Sequence, residues 1–192
     1  MTSRQLSQII NFSRPFYSKT GEYHGWDHVL LVRKNALNIS KAYKNINTRC
    51  LEAVCYLHDI GRSVKDEGHP EESFKLCKEF LRKIGVSDNE TSVIKDAVIS
   101  HDLSKILKSK TLEARILFDA DKIEIISVRG FLRVILFLVE ERKMSLDSSV
   151  DFLWKYVNKV YKGYIFTKSA KNLIKNDVKI INNLVRRYGS WN

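Results

Sequence analysis

Five histidines stand close to carboxylates in this chain, and their spacing is the first clue to chemistry. His24 and His28 are four residues apart in the run HGWDH. His58 and Asp59 are adjacent in CYLHDIGR, His69 begins the run HPEES, and His101 lies in AVISHD. Asp119 and Asp121 flank Ala120 inside the apolar LFDADKIEII. An ionised aspartate in an apolar stretch is costly unless a cation accompanies it. Asp59 follows Cys-Tyr-Leu-His and precedes Ile60, and Asp121 sits among Ile, Leu and Phe. A divalent metal meets the need of both. Imidazole and carboxylate together suit Mn, Fe, Co, Ni or Zn, whereas Mg alone favours all-oxygen surroundings.

The elements that position these groups read as helices. Only 2 Pro and 8 Gly punctuate 192 residues, too few for the many turns of a strand-rich fold. The apolar spacing and cap residues predict a helix from Ser3 to Tyr17 that ends near Pro15, and a second from His24 to Tyr43 with His24 and His28 on one face. A third spans Thr48 to His58, followed by a charged loop from Gly61 to Gly68. Pro70 with Glu71 and Glu72 suits the first turn of a fourth helix, and Gly85 suits its C-terminal cap. Ser87 to Glu90 resembles a capping box for a helix reaching His101. A Lys/Ser-rich loop leads to Thr111, which can cap LEARILFDADKIEIIS, and Gly130 is expected to bend or break the continuation. Two more helices fit Leu146 to Lys162 and Lys168 to Tyr188. The expected fold is all-α, with about eight helices.

Composition narrows the function classes. A hydrophobic fraction of 44% is that of a globular chain. The length suits one domain over 1–192, with a core at about 20–130 and C-terminal helices over 131–192. A formal charge of +11 favours anionic partners such as nucleotides, phosphate esters or nucleic acids, although the Lys residues are spread along the chain. Cys50, Cys55 and Cys77 are an odd count without a CxxC pair, which argues for reduced thiols. The N-terminal run lacks an apolar signal core, and the apolar run from Phe131 to Val139 is too short to span a bilayer. A cytoplasmic location without membrane contact is the expectation.

The ordered set His28, His58-Asp59, Asp121 resembles the HD-domain superfamily of metal-dependent phosphohydrolases. The runs HGWDHVLLV, CYLHDIGR, HPEES and LEARILFDADKIE carry the resemblance, which covers roughly Tyr23 to Gly130. It implies a helical bundle around a buried metal, with His28, His58, Asp59 and Asp121 as ligands. Asp121 is preferred to Asp119 because the family's ligand precedes a basic residue, here Lys122. His69 and His101 occupy places where two-metal members carry further histidines, so they are expected to hold a second ion or the substrate phosphate. The GYP motif of the cyclic-dinucleotide phosphodiesterases is absent from the sequence.

The implied reaction is hydrolysis of a phosphate ester or anhydride of a nucleotide or similar small compound by a metal-activated water. Asp59, His69 and His101 are the expected catalytic residues. Arg62, Lys65, Lys122 and His24 are the expected substrate contacts. The cofactor is one or two divalent ions among Mn, Ni, Fe, Co, Mg or Zn, with Mn favoured. Nucleic acid and a second copy of the chain stay open as partners. A nuclease or oligonucleotide phosphodiesterase, a non-catalytic nucleotide-binding module and a di-iron oxygenase are the alternatives.

Overall fold

The computed structural model describes residues 1–20 and 22–189. These residues form nine α-helices and three short 3-10 turns, without a strand among them, so the chain is all-α as its composition suggests. The helices fall into two compact units, residues 1–120 and 121–192.

The first unit is organised around its most apolar helix. α3 (Thr48–Leu57) buries Cys50, Leu51 and every residue from Ala53 to Leu57. A helix buried on nearly all sides belongs at the centre of a bundle. α1 (Ser3–Tyr17), α2 (Trp26–Ser40), α4 (His69–Lys83) and α5 (Asp88–Ser100) all pack against it. The charged Glu52 of α3 is matched by Arg33 of α2, whose Nε donates to it at 2.6 Å.

Caps mark the helix ends where the sequence suggests them. Ser87 accepts from the Glu90 N–H at the head of α5, and Thr111 from the Ala114 N–H at the head of α6 (Leu112–Ile126). Pro70 occupies the first turn of α4. Gly85 takes the left-handed conformation (φ 72°) after α4, where a side chain would be strained.

Three local expectations are corrected, while α1 spans Ser3–Tyr17 as expected, with Pro15 inside its last turn. His24 is not on α2 but in a separate 3-10 turn, Glu22–His24, and Gly25 is the N-cap of α2. The Lys/Ser-rich loop contains a 3-10 turn, Ile106–Lys108, pinned by the fully buried Ile106. The helix break falls at Ser127, not at Gly130. The Ser127 hydroxyl caps α7 (Val128–Glu140) by accepting from the Gly130 N–H at 3.1 Å. Gly130 is needed for close approach instead. A Cβ there would lie 1.8 Å from the Glu124 carbonyl oxygen.

The second unit packs α7 against α8 (Leu146–Gly163) and α9 (Lys168–Gly189). Phe131, Ile135 and Leu138 of α7, Val150, Leu153, Val157 and Val160 of α8, and Ile174, Val178 and Ile181 of α9 are its buried apolar residues. Asp177 of α9 accepts from the Val128 N–H at 2.9 Å and so fastens α9 to the start of α7.

Candidate metal centre

The first unit brings five sequence-predicted residues together, each from the end of an element. His28 is in the first turn of α2, and His58 is the residue after α3, with Asp59 next to it. His69 is the first residue of α4, and His101 follows α5. All five are buried. They form two groups that share Asp59. His28, His58 and Asp59 are one, and Asp59, His69 and His101 are the other, with the ligand atoms of each group within 4.8 Å of one another.

The helix ends also fix which ring nitrogen faces the cluster. The last carbonyls of a helix lack intrahelical partners. His58 Nδ1 bonds the Cys55 carbonyl at 2.8 Å, His101 Nδ1 the Val98 carbonyl at 2.6 Å, and His69 Nδ1 the Asp66 carbonyl at 2.8 Å. A carbonyl oxygen has no proton to give, so Nδ1 is the donor in all three. The neutral rings then present Nε2 lone pairs, the arrangement that prepares a histidine to ligate a metal. For His58 and His101, end-capping and ligation are therefore complementary jobs for the two nitrogens of one ring, while the Asp66 carbonyl that orients His69 lies in the loop before α4.

Those lone pairs converge. His69 Nε2 and His101 Nε2 are 3.1 Å apart, and they lie 3.1 and 3.2 Å from Asp59 Oδ1. Three acceptors in a triangle of this size repel one another unless a proton or cation sits among them. Adjacent ligands of a six-coordinate ion with bonds of about 2.1 Å are about 3 Å apart. The donor set and its spacing thus fit a divalent cation. On the other side of the same carboxylate, His58 Nε2 and His28 Nε2 lie 3.7 and 4.0 Å from Asp59 Oδ2.

Burial alone would push the Asp59 carboxyl up. With protons on these imidazoles in place of a metal ion, the charges of His58 and Arg62 and hydrogen bonds from His101 and His69 overcome that and hold it well below the usual carboxylate range. It is the anionic form that the site keeps. Tyr17, whose hydroxyl donates to the Tyr56 carbonyl at 3.1 Å, is pushed well above its ordinary value, first by burial and then by the Asp59 charge.

Two residues the sequence did not single out hold the His58-Asp59 turn in place. The Ser73 hydroxyl, fully buried on α4, donates to the His58 carbonyl and accepts from the Gly61 N–H, both at 2.8 Å. A Cβ on Gly61 would stand 2.3 Å from the His69 carbonyl oxygen. Only glycine lets the head of α4, and with it His69, approach the turn after Asp59 this closely. The adjacent Gly in HDIG and the Ser in HPEES were the available signals.

The remaining predicted residues are placed as follows. Arg62 donates from Nε to Asp59 Oδ2 at 2.8 Å and from Nη1 to Asp66 at 3.3 Å. Lys65 is exposed, with Glu72 3.7 Å away. The His24 ring meets the His28 ring edge to face, with centroids 5.8 Å apart. Trp26 stacks on Tyr56, with the Arg14 guanidinium over its ring. On α6, Asp119 is fully buried. Asp121, with which the second unit begins, is buried and accepts from Lys122 Nζ at 2.6 Å.

Comparison with known proteins follows the same lines. No curated protein matches the chain. Several solved structures share the fold at low identity. A Lactobacillus plantarum protein is 18% identical, with a TM-score of 0.79 over 98% of this chain and 97% of its own. Bacillus subtilis YpgQ, solved in complex with ADP, is 16% identical, with a TM-score of 0.75 over 97% and 94%. A predicted HD superfamily hydrolase from an uncultured Thermotogales bacterium is 18% identical, with a TM-score of 0.68 over 97% and 92%. The sequence pattern of the HD domain matches residues 25–126, a span that takes in all five clustered residues and more than half of the chain. The chain belongs to the HD-domain family, a family of metal-dependent hydrolases.

Proposed function

We propose that this chain is a phosphohydrolase that cleaves a phosphate ester or anhydride of a nucleotide or a similar small phosphate compound. The observation that carries the reading is the convergence of His69 Nε2, His101 Nε2 and Asp59 Oδ1 in a buried triangle, with His28 and His58 on the other oxygen of the same carboxylate. His28, His58 and Asp59 would hold a divalent ion, Mn being favoured. His69 and His101 would hold a second ion or the substrate phosphate. Such a cation supplies Lewis acidity toward a phosphoryl oxygen and lowers the pKa of a water bound to it.

The protein's own groups supply orientation and protons. Arg62 fixes the plane of the Asp59 carboxylate through its Nε. Asp59, kept anionic, directs the attacking water. The Nδ1–H bonds to backbone carbonyls hold His69 and His101 with Nε2 toward the reacting centre. From there an imidazole that is not holding an ion and carries a second proton, on Nε2, can pass that proton to the leaving oxygen and return to the neutral form. Lys65 would offer charge to phosphate oxygens, and His24 a hydrogen bond. YpgQ's complex with ADP supports placing nucleoside diphosphates first among the candidates.

The test is phosphate release from nucleoside mono-, di- and triphosphates, simple phosphoesters and short oligonucleotides, with Mn, Mg, Ni, Co and Fe supplied in turn. Metal-dependent release by the native protein that is lost in Asp59→Asn supports the reading. Release that persists in Asp59→Asn, or that chelator leaves unchanged, overturns it.

A further inference from the structure

The excess charge of this chain is concentrated in its second unit. Residues 121–192 carry 14 Lys and Arg against 7 Asp and Glu, so +7 of the chain's +11 resides there. From Lys155 to Arg187 there are 9 basic residues and a single acid, Asp177. That acid is half-buried and engaged with the start of α7, so it does not neutralise the outer surface.

On α9 the basic residues share one face. At about 100° per residue, Lys168, Lys171, Lys175, Lys179 and Arg186 fall within about 80° of one another and span about 27 Å of helix. All five are exposed. Among the described residues, none of the four lysines forms an ion pair. The exposed Asn172, able to donate to an oxygen, lies beside the stripe. The buried face, with Ile174, Val178 and Ile181, is turned toward α7 and α8. The exposed apolar residues Leu173, Ile180 and Leu184 lie about 140–180° round the helix from the centre of the basic stripe.

We propose that this stripe is a docking surface for the phosphodiester backbone of a nucleic acid. Charge complementarity is the argument. A row of cations at one-turn intervals, without acids among them, fits a polyanion whose charges also recur at regular short intervals. The placement of the apolar residues separates this partner from an anionic bilayer. A helix that lies on a membrane buries its apolar stripe while its basic residues flank that stripe. Here the leucines and isoleucine face away from the lysines, so one flat surface does not meet both. The docking surface is independent of the metal centre, and its test reads binding, not turnover.

The experiment is fluorescence anisotropy with a labelled 20-base-pair DNA duplex between 50 and 200 mM salt. Two fourfold variants are compared with the native protein. One is Lys168→Gln, Lys171→Gln, Lys175→Gln and Lys179→Gln together. The other removes equal charge from exposed lysines of the first unit, Lys34→Gln, Lys41→Gln, Lys44→Gln and Lys78→Gln. Glutamine keeps the helix propensity of lysine, and circular dichroism confirms that both are folded. Five phosphate contacts give a slope of log affinity against log salt of about −4.5, and the one contact left on α9 in the first variant gives about −1. The expected result is at least tenfold weaker binding at 50 mM salt for the α9 variant and a change within twofold for the control. Absence of binding at 50 mM salt overturns the proposal, as does equal weakening of both variants, which would reduce it to net charge. Vesicles with 30% phosphatidylserine serve as the rival surface. If they bind the native protein but not the α9 variant while the duplex binds neither, the partner is a bilayer and the proposal fails.

Discussion

Replacing Ser73 by alanine tests how the His58-Asp59 turn is held. The hydroxyl is fully buried and makes two hydrogen bonds of 2.8 Å, to the His58 carbonyl and from the Gly61 N–H. Alanine removes both and leaves a void no larger than one oxygen atom, too small to admit water. Each buried polar group left without a partner costs about 1–3 kcal/mol. The expected loss is therefore about 2–6 kcal/mol, a large part of the 5–15 kcal/mol typical of a domain. Urea unfolding followed by circular dichroism measures it as a fall in the midpoint at unchanged slope. Ser18→Ala is the control, because Ser18 is exposed and bonds only the carbonyl of Pro15 within its own turn. Its loss should stay below about 0.5 kcal/mol. Because the Ser73 bonds adjoin His58, the same variant should also bind Mn more weakly. A Ser73→Ala protein as stable as the control variant, with native Mn affinity, would refute the argument that this hydroxyl positions the turn.

Further outcomes follow from the same structure. Gly130→Ala puts a methyl 1.8 Å from the Glu124 carbonyl oxygen, so backbone must move. Its cost should exceed about 3 kcal/mol, read as a lowered unfolding midpoint or loss of soluble protein. Asp96 Oδ2 accepts from the N–H groups of Lys110 and Thr111 and from the Thr111 hydroxyl. Asp96→Ala should therefore cost about 1–3 kcal/mol and speed proteolysis of the segment before α6. Burial pushes the Cys50 and Cys77 thiols up to about 12. Cys55 is buried too, so no thiol should react with a disulfide reagent at pH 8 until denaturant exposes all three. The unfolded chain ionises these thiols near the ordinary value of 9.0 while the folded one keeps them neutral. Their contribution to stability is thus whole below pH 9 and shrinks as pH rises toward 12, which urea midpoints across that range will show.

Legibility in the sequence varied with the range of the interaction. Local signals served well. Ser87, Pro70, Gly85 and Thr111 each act through neighbours within four residues, and each marks a helix end where the sequence suggests one. The apolar run of α3 suggested a helix, and its central place in the first unit emerges only from the packing. His24 misled because its spacing from His28 suits one helix face, yet Gly25 starts the helix one residue later. Gly130 suggested a break, but Ser127 offers a hydroxyl cap at the true turn, and the glycine is there for close packing.

The candidate site was legible as a set of residue types and not as geometry. Costly aspartates in apolar runs pointed to a cation. Which imidazole nitrogen faces it depends on carbonyls at helix ends, which appear only once the helices are placed. The roles of Ser73 and Gly61 depend on the approach of α4 to the turn after Asp59, twelve residues away in sequence for the Gly61–Ser73 bond. The lysines of α9 looked scattered because a stripe exists only at helical pitch.

Calorimetric titration of the metal-free protein with Mn decides whether the cluster around Asp59 holds a divalent cation. Asp59→Asn keeps the shape of the side chain and removes its charge from both groups of ligand atoms. The expected result is measurable Mn binding by the native protein and its loss in Asp59→Asn, with circular dichroism showing both folded. Equal binding by the two proteins, or none by the native one, would contradict it.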